Sequence, residues 1–182
     1  MATTRENKTI SQFKSQLIGG GARPNLFEVE LTTLPAGIAW PADNFRYMCK
    51  AAQLPASVIA NIDIPFRGRI FKVAGDRTIE PWSITVINDE DFRIRKAMEE
   101  WVDRIAKLEN NLGATDPSAY MVNAKVFQLG RGATPSSSTN AGDRNAVLRE
   151  YEFIDIFPTS VSSIDLSYDS SDTIEEFVVD FA

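Results

Sequence analysis

The chain has 182 residues, enough for one domain with a buried core, and carries a net charge of −6. It contains no histidine and one cysteine, Cys49, which excludes a Ser-His-Asp triad, a His-ligated zinc site and an intrachain disulfide. An acidic protein of this kind is expected to bind nucleic acid weakly, because phosphate backbones are bound by clustered lysine and arginine. We also expect no signal peptide and no transmembrane segment, because no sufficiently long apolar run is present.

Residues 1–24 are predicted to form an N-terminal arm. The segment is polar, locally basic and rich in glycine at residues 19–21. Its apolar residues recur at helical spacing: Ile10, Phe13, Leu17 and Ile18. The spacing predicts either a short amphipathic helix that forms against a partner or, equally, a disordered tail.

Residues 25–182 are predicted to form one β domain, because short segments alternate apolar and polar side chains with period two. The predicted strands are 25–31, 45–50, 58–64, 81–87, 119–129, 147–157, 164–169 and 174–181. Many of them carry acids on the face that points away from the core. A long Gly/Ser-rich loop is predicted at 130–145. The pattern as a whole indicates a mainly-β sandwich or barrel.

One helix is predicted within this pattern, from residue 89 to residue 109, with apolar residues spaced by three or four. Its start coincides with the acidic run 88–91 (NDED), for which there are two interpretations. The run could be a metal or acid–base site, or an Asn or Asp cap followed by acids at the positive end of the helix dipole. The coincidence favours the cap, and the spacing of a calcium-binding loop is missing.

The segment Gly75-Asp76-Arg77 is predicted to be a turn, in which glycine supplies the backbone freedom and the charges satisfy local groups or a neighbouring chain. A reactive Asp–Arg pair is the alternative. Elsewhere, no glycine-rich stretch has the pattern of a phosphate loop, and no nucleophile stands in a recognisable relation to a base. We therefore expect no catalytic residues, no metal site, no cofactor and no enzymatic activity.

Four segments of the chain carry a resemblance to a known family. They are ARPNLFEVEL (22–31), CKAAQLPA (49–56), KVAGDRTIEPWSITVINDED (72–91) and FPTSVSSIDLSYDSSDTIEEFVV (157–179). In this order they resemble the tail tube protein of T-even-like contractile-tailed bacteriophages. The chain departs from the family pattern in longer segments at 32–42 and 130–145.

The resemblance implies a tail-tube β-sandwich or barrel with one flanking α-helix, whose subunits join into a hexameric ring barrel. Rings of this family stack into the inner tube of a contractile tail, which conducts phage DNA. The implied partners are further copies of the chain, a tail sheath protein, a tape-measure protein and a baseplate tube initiator, while DNA passes through the lumen without specific binding. The implied location is the virion, after assembly in the host cytoplasm.

An acidic lumen would keep a polyanion from adhering to the wall. Candidates for the lining come from the acids on outward strand faces: Glu150, Glu152, Asp165, Glu176 and Asp180. Candidates for contacts between subunits come from the arm and from the predicted turn: Phe13, Arg23, Gly75, Asp76 and Arg77.

Other functions remain open from the sequence. A tube-fold protein of another position is one alternative, either a baseplate initiator or the tube subunit of a type VI secretion or contractile injection system. A carbohydrate-binding β-sandwich that uses exposed aromatic residues such as Trp40 is a more distant one.

Overall fold

The computed structural model describes residues 9–17, 20–131 and 146–182. The helices are α1 Ile10–Gln16, α2 Ala42–Met48 and α3 Arg93–Ile105. The strands are β1 Phe27–Glu30, β2 Cys49–Ala52, β3 Ser57–Phe66, β4 Arg69–Ile79, β5 Trp82–Ile87, β6 Val122–Leu129, β7 Val147–Ile156, β8 Pro158–Val161 and β9 Glu176–Phe181. The fold is therefore mainly β, as predicted, with more helix than the single one expected. The predicted loop at 130–145 and Ile18 lie, apart from residues 130 and 131, outside the described residues.

The strands form three sheets. They are a three-stranded sheet in the order β1-β6-β7, a four-stranded sheet in the order β2-β5-β9-β8, and the two-stranded hairpin β3-β4. By its contacts the chain divides into a smaller unit, residues 1–28 with 126–151, and a larger unit, residues 29–125 with 152–182.

The core of the larger unit lies between one face of the four-stranded sheet and α3. Alternate residues of β5 and β9 are buried on this face: Trp82, Ile84, Val86, Phe177, Val179 and Phe181. The ring of Trp101 in α3 lies 5.9 Å from that of Phe181, and the Arg95 guanidinium lies 5.3 Å above the ring of Phe177. Each large side chain buried here contributes about 1.5–3 kcal/mol, so the sheet and helix form a stable body.

In the smaller unit, α1 is stabilised from within its own sequence. Thr9 and Gln12 form a reciprocal capping box at its start, and the helix buries none of its residues. A helix is thus present in the described part of the arm, and its contact with a partner stays a prediction. In the same unit the Gln128 amide donates to the carbonyl oxygens of Arg23 and Leu26, both at 2.7 Å, which fixes the chain where it enters β1.

The predicted strand at 45–50 is wrong over most of its length. Residues 42–48 are α2, and only Cys49 begins a strand. Phe45 and Cys49 are buried, whereas Tyr47, which a strand would place on the same face, is 84% exposed. Two buried residues four apart fit a helix as well as an alternating strand, and the contact of Phe45 with Trp40, at 4.9 Å between rings, fits the helix.

The predicted start of the long helix is also wrong. The residue before its first turn is Phe92, in a left-handed conformation and without a side-chain cap, and the helix begins at Arg93. Asp89 still serves the helix end, because its carboxylate accepts from the Arg93 backbone N–H at 3.2 Å and from the Asn44 amide at 3.0 Å. The acidic run is therefore a turn that leads into the helix.

Residues 164–169, predicted as a strand, are not in any described sheet. The position beside β9 is taken by β8, which pairs through Pro158↔Phe181 and Val161↔Val179. Leu166 is consequently 80% exposed. Alternation alone does not reveal whether a strand partner is present.

At Gly113 the loop after α3 lies directly against the end of that helix. A Cβ atom at this position would lie 1.7 Å from the carbonyl oxygen of Ile105. The neighbouring Ala114 N–H donates to the Arg104 carbonyl at 3.0 Å, so the close approach is part of the helix ending.

We expect Gly113→Ala to lower the free energy of unfolding by about 2 kcal/mol or more, because backbone must move to admit the methyl group. Glu109→Ala, an exposed position in the same loop, should change it by less than about 0.5 kcal/mol. Urea unfolding of the dispersed subunit measures both. Equal stability of the two variants would contradict this role for Gly113.

Candidate functional site: an exposed hairpin and a polar sheet face

The hairpin β3-β4 is the most exposed element of the larger unit. Its strands pair antiparallel from Ser57↔Ile79 to Phe66↔Arg69. Every residue of β3 is exposed, and in β4 all are exposed except Gly75, which is half-buried. Since an isolated two-stranded hairpin is at best marginally stable in water, this element depends on something outside the described fold.

The two faces of the hairpin differ. Directly opposed residues share a face, and the pairs Ile62↔Val73 and Ile64↔Phe71, with Phe66 beyond them, form one contiguous apolar face. Phe66 and Phe71 are 67% and 66% exposed. We call this set (Ile62, Ile64, Phe66, Phe71 and Val73) the apolar hairpin face. An apolar surface of this extent indicates an interaction site.

The hairpin is also basic within an acidic chain. Residues 57–79 contain four basic side chains and two acidic ones, whereas the whole chain has a net charge of −6. At the tip, Arg67 and Gly68 both have positive φ, as a two-residue hairpin turn requires, and the Arg67 guanidinium lies 5.3 Å above the Phe66 ring. On the polar face Lys72 stands 4.0 Å from Asp63. The hairpin therefore suits an acidic partner with an apolar surface.

The predicted turn at Gly75-Asp76-Arg77 is wrong, because all three residues lie inside β4. The pairing steps from Ile59↔Arg77 to Asn61↔Ala74, so β4 carries one extra residue there, a β-bulge. A Cβ on Gly75 would lie 3.0 Å from the Ala60 carbonyl oxygen, which explains the glycine. The residues do lie on the exposed hairpin, and their contact with another subunit stays a prediction.

The two arm candidates are exposed in the smaller unit. Phe13 projects from α1 with 64% of its surface exposed, beside Ile10 and Leu17. Arg23 precedes β1 and is also exposed. Their roles between subunits stay predictions.

The five acids proposed for a lumen lie on different elements. Glu150 and Glu152 are on β7 of the three-stranded sheet, Asp165 follows β8 outside any strand, and Glu176 and Asp180 are on β9 of the four-stranded sheet. The structure brings four of them together as two pairs, Glu150 with Glu152 on β7 and Glu176 with Asp180 on β9, in different sheets. As a set lining one channel, the five stay a prediction.

Asp180 organises a polar cluster on the outer face of the four-stranded sheet. Its two carboxylate oxygens accept from the hydroxyls of Ser83 on β5, at 2.5 Å, and Ser160 on β8, at 2.7 Å. These hydrogen bonds, that of Ser83 first, lower the pKa of Asp180. On the same face the Lys50 ammonium lies 2.5 Å from the Glu176 carboxylate. No pattern in the sequence indicates these partners, because they come from distant segments.

The described residues contain no group of three or more His, Cys, Asp or Glu side chains that could hold a metal ion. Burial raises the pKa of the Cys49 thiol to about 12, which keeps it protonated. Trp40 donates from its indole nitrogen to the Leu31 carbonyl at 2.5 Å. No helix among the described residues is long and apolar enough to cross a membrane.

A family model described as phage tail tube protein matches residues 22–182. The chain belongs to the phage tail tube protein family. Tail tube protein gp19 of Enterobacteria phage T4 is 35% identical over 164 residues, which cover 90% of each chain. The resemblance found in the sequence is thereby confirmed. This tail tube protein is a structural component of the phage tail, and its relatives are structural proteins rather than enzymes.

Two solved structures share the fold of this tail tube protein. A chain in the anti-feeding prophage baseplate, a 6-fold symmetrised structure, superimposes with a TM-score of 0.61 at 10% identity and covers 89% of this chain and 91% of its own. A chain of the anti-feeding prophage tube-terminating cap gives a TM-score of 0.56 at 16% identity, with 100% and 93% covered. At these identities the likeness concerns the fold alone.

The hydrogen bonds of Asp180 should make the free energy of unfolding depend on pH. The pKa of Asp180 is lower in the folded state than its unfolded value of about 3.9. The ionised carboxylate therefore stabilises the folded subunit above that value, and this contribution is lost as pH falls through the folded pKa. Asp180→Asn should therefore lower the free energy of unfolding at pH 7, with a difference from wild type that shrinks below about pH 4. Urea titrations of the dispersed subunit across pH measure it.

Asp169→Asn, in an exposed turn, is the control and should show no such pH-dependent difference. A difference between Asp180→Asn and wild type that stays constant down to the acid end of the titration would contradict the assignment.

Proposed function

We propose that this chain is the repeating subunit of a tail tube, in which hexameric rings stack around a channel that conducts phage DNA. The observation that carries the proposal is the apolar hairpin face, which the subunit leaves uncovered. Membership in the tail tube family supports a second copy of the same chain as the partner. Charge supports it too, because a basic hairpin complements the acidic remainder of an identical neighbour.

The four-stranded sheet supports closure into a ring. Its neighbouring strands are antiparallel, so with four strands the two edges, β2 and β8, run in opposite directions. Rotational symmetry then places β8 of one copy antiparallel to β2 of the next. Such pairing satisfies both edges and makes one continuous barrel. A hexamer would have about 24 strands and a backbone diameter of roughly 50 Å, which admits a DNA duplex.

The further partners follow from this placement. The tube is enclosed by a tail sheath protein, begins on a baseplate tube initiator and forms around a tape-measure protein, as the family resemblance implies. The fold shared with a baseplate chain supports a tube that continues the same architecture from the baseplate. DNA passes through the lumen without specific binding, and assembly takes place in the host cytoplasm.

Electron microscopy of the purified protein tests the proposal directly. At high concentration, or with baseplates present, we expect rings and tubes of constant diameter. A protein that stays monomeric under every condition, in a phage whose tail tubes do not react with its antibody, would rule the proposal out.

Phe71→Asp should abolish tube formation while leaving the subunit folded, because Phe71 lies in the apolar hairpin face and contributes little to the subunit's own core. Phe71→Leu retains an apolar side chain and should still form tubes. Sedimentation measures assembly, and thermal unfolding of the dispersed subunit should shift by less than about 2 °C in either variant. Normal tubes from Phe71→Asp would show that the face is not an assembly surface.

The arm gives a second assembly test. Phe13→Asp should shorten or abolish tubes without changing subunit stability, because α1 buries none of its residues in the subunit. Ser11→Asp adds the same charge on the polar side of α1 and serves as the control. Tube lengths in micrographs compare the two, and equal lengths would argue against a role for the apolar side of α1.

A further inference from the structure

The four-stranded sheet has two unlike faces. One face packs on α3 through Phe177, Phe181 and their buried neighbours. The opposite face lies at half-buried or exposed positions and carries mainly hydroxyl and carboxylate side chains, and we call it the hydroxyl face. Its polar members are Ser83, Thr85, Ser160, Glu176 and Asp180, and the apolar Ile87 and Val178 lie among them.

If the sheet closes into a barrel through its edges, one of these faces must point into the channel. The face that packs on α3 cannot, because a helix and its hydrophobic core on the inside of every subunit would fill a barrel of roughly 50 Å. We infer that the hydroxyl face lines the channel, and that it presents to the passing polyanion hydroxyl groups with a ring of Asp180 carboxylates. This inference rests on the proposed function.

The charges on this face suit a surface that DNA crosses without adhering. Lys50 lies against Glu176, so the cation on this face is offset within the same subunit. Among the described residues the Asp180 carboxylate is in no ion pair, and both of its oxygens accept hydrogen bonds from serine hydroxyls. Adhesion to DNA depends on cationic contacts and counterion release, and on the hydroxyl face the ammonium of Lys50 is already paired with Glu176.

Only two of the five predicted lumen acids lie on the hydroxyl face. Glu176 and Asp180 belong to the channel wall. Glu150 and Glu152, on β7 of the other sheet, and Asp165, outside the strands, do not share this face. Reversing the charge of Glu176 or Asp180 should therefore slow DNA passage, whereas reversing the charge of the other three acids should not.

Thiol labelling of assembled tubes tests the placement. Thr85 lies in the middle of the hydroxyl face, paired with Ala51 and Val178, and Asp103 is exposed on α3. Tubes of Thr85→Cys and Asp103→Cys are treated with a biotin maleimide and then with gold-labelled streptavidin. The native Cys49 is buried and gives little background, which wild-type tubes measure.

We expect biotin to be found on both variants after dissociation of the tubes, but gold along the tube only for Asp103→Cys, because streptavidin is too large to diffuse into the channel. Gold along Thr85→Cys tubes, or failure of the small maleimide to react with Thr85→Cys, would overturn the inference. Ser160→Cys on β8 replaces Thr85→Cys if that variant does not fold. Absence of tubes from the wild-type protein would instead contradict the proposed function.

A second readout uses DNA. In phage with intact tubes, Asp180→Lys should slow genome release several-fold at low salt, and less at high salt, because a cationic ring retards the polyanion. Glu152→Lys makes the same charge change on the other sheet and should release DNA at the wild-type rate. Slow DNA release from the Glu152→Lys phage, with normal release from the Asp180→Lys phage, would show that the hydroxyl face does not line the channel.

Discussion

The β3-β4 hairpin needs its apolar face to be buried, and the subunit by itself leaves that face exposed. A two-stranded ribbon with exposed Ile64, Phe66 and Phe71 does not stabilise itself in water. In the proposed assembly, the free energy that orders it comes from a neighbouring subunit. Assembly and ordering of the hairpin would then be one process.

The rest of the larger unit does not share this dependence. Its four-stranded sheet and α3 bury Trp82, Trp101, Phe177 and Phe181 against one another. This separation suits the proposed tube subunit, which would have a folded body before it assembles. The short edge strands β2 and β8, of four residues each, limit uncontrolled pairing, while the acidic charge of the whole chain keeps free copies apart.

The sequence predicted the two central strands of the four-stranded sheet, β5 and β9, but not its edge strand β8 nor β4 of the hairpin. The alternation of β5 and β9 correctly placed Trp82, Ile84, Phe177 and Val179 in the core. It failed at 45–50, because Phe45 and Cys49 are also four apart on a helix, and at 164–169, because alternation says nothing about pairing. In β3 it correctly gave an apolar face but could not tell whether that face joins the subunit's own core.

The candidate site was predictable only in part, and for a related reason. Acids on outward faces can be read from period two, yet the sheet to which each strand belongs depends on pairing between distant segments. Asp180 and Ser83 are separated by 97 positions and still share a hydrogen bond. Glu150 and Asp180 look alike in sequence, and only the strand order separates them into different sheets.

Hydrogen exchange, followed residue by residue in the dispersed subunit and in assembled tubes, tests the central claim most directly. The account predicts that amides of β3 and β4 exchange fast in the dispersed subunit and become strongly protected in tubes, whereas amides of β5 and β9 are protected in both. Equal protection of β3 and β4 in the two states would contradict it, because the ribbon would then be stable without a neighbour.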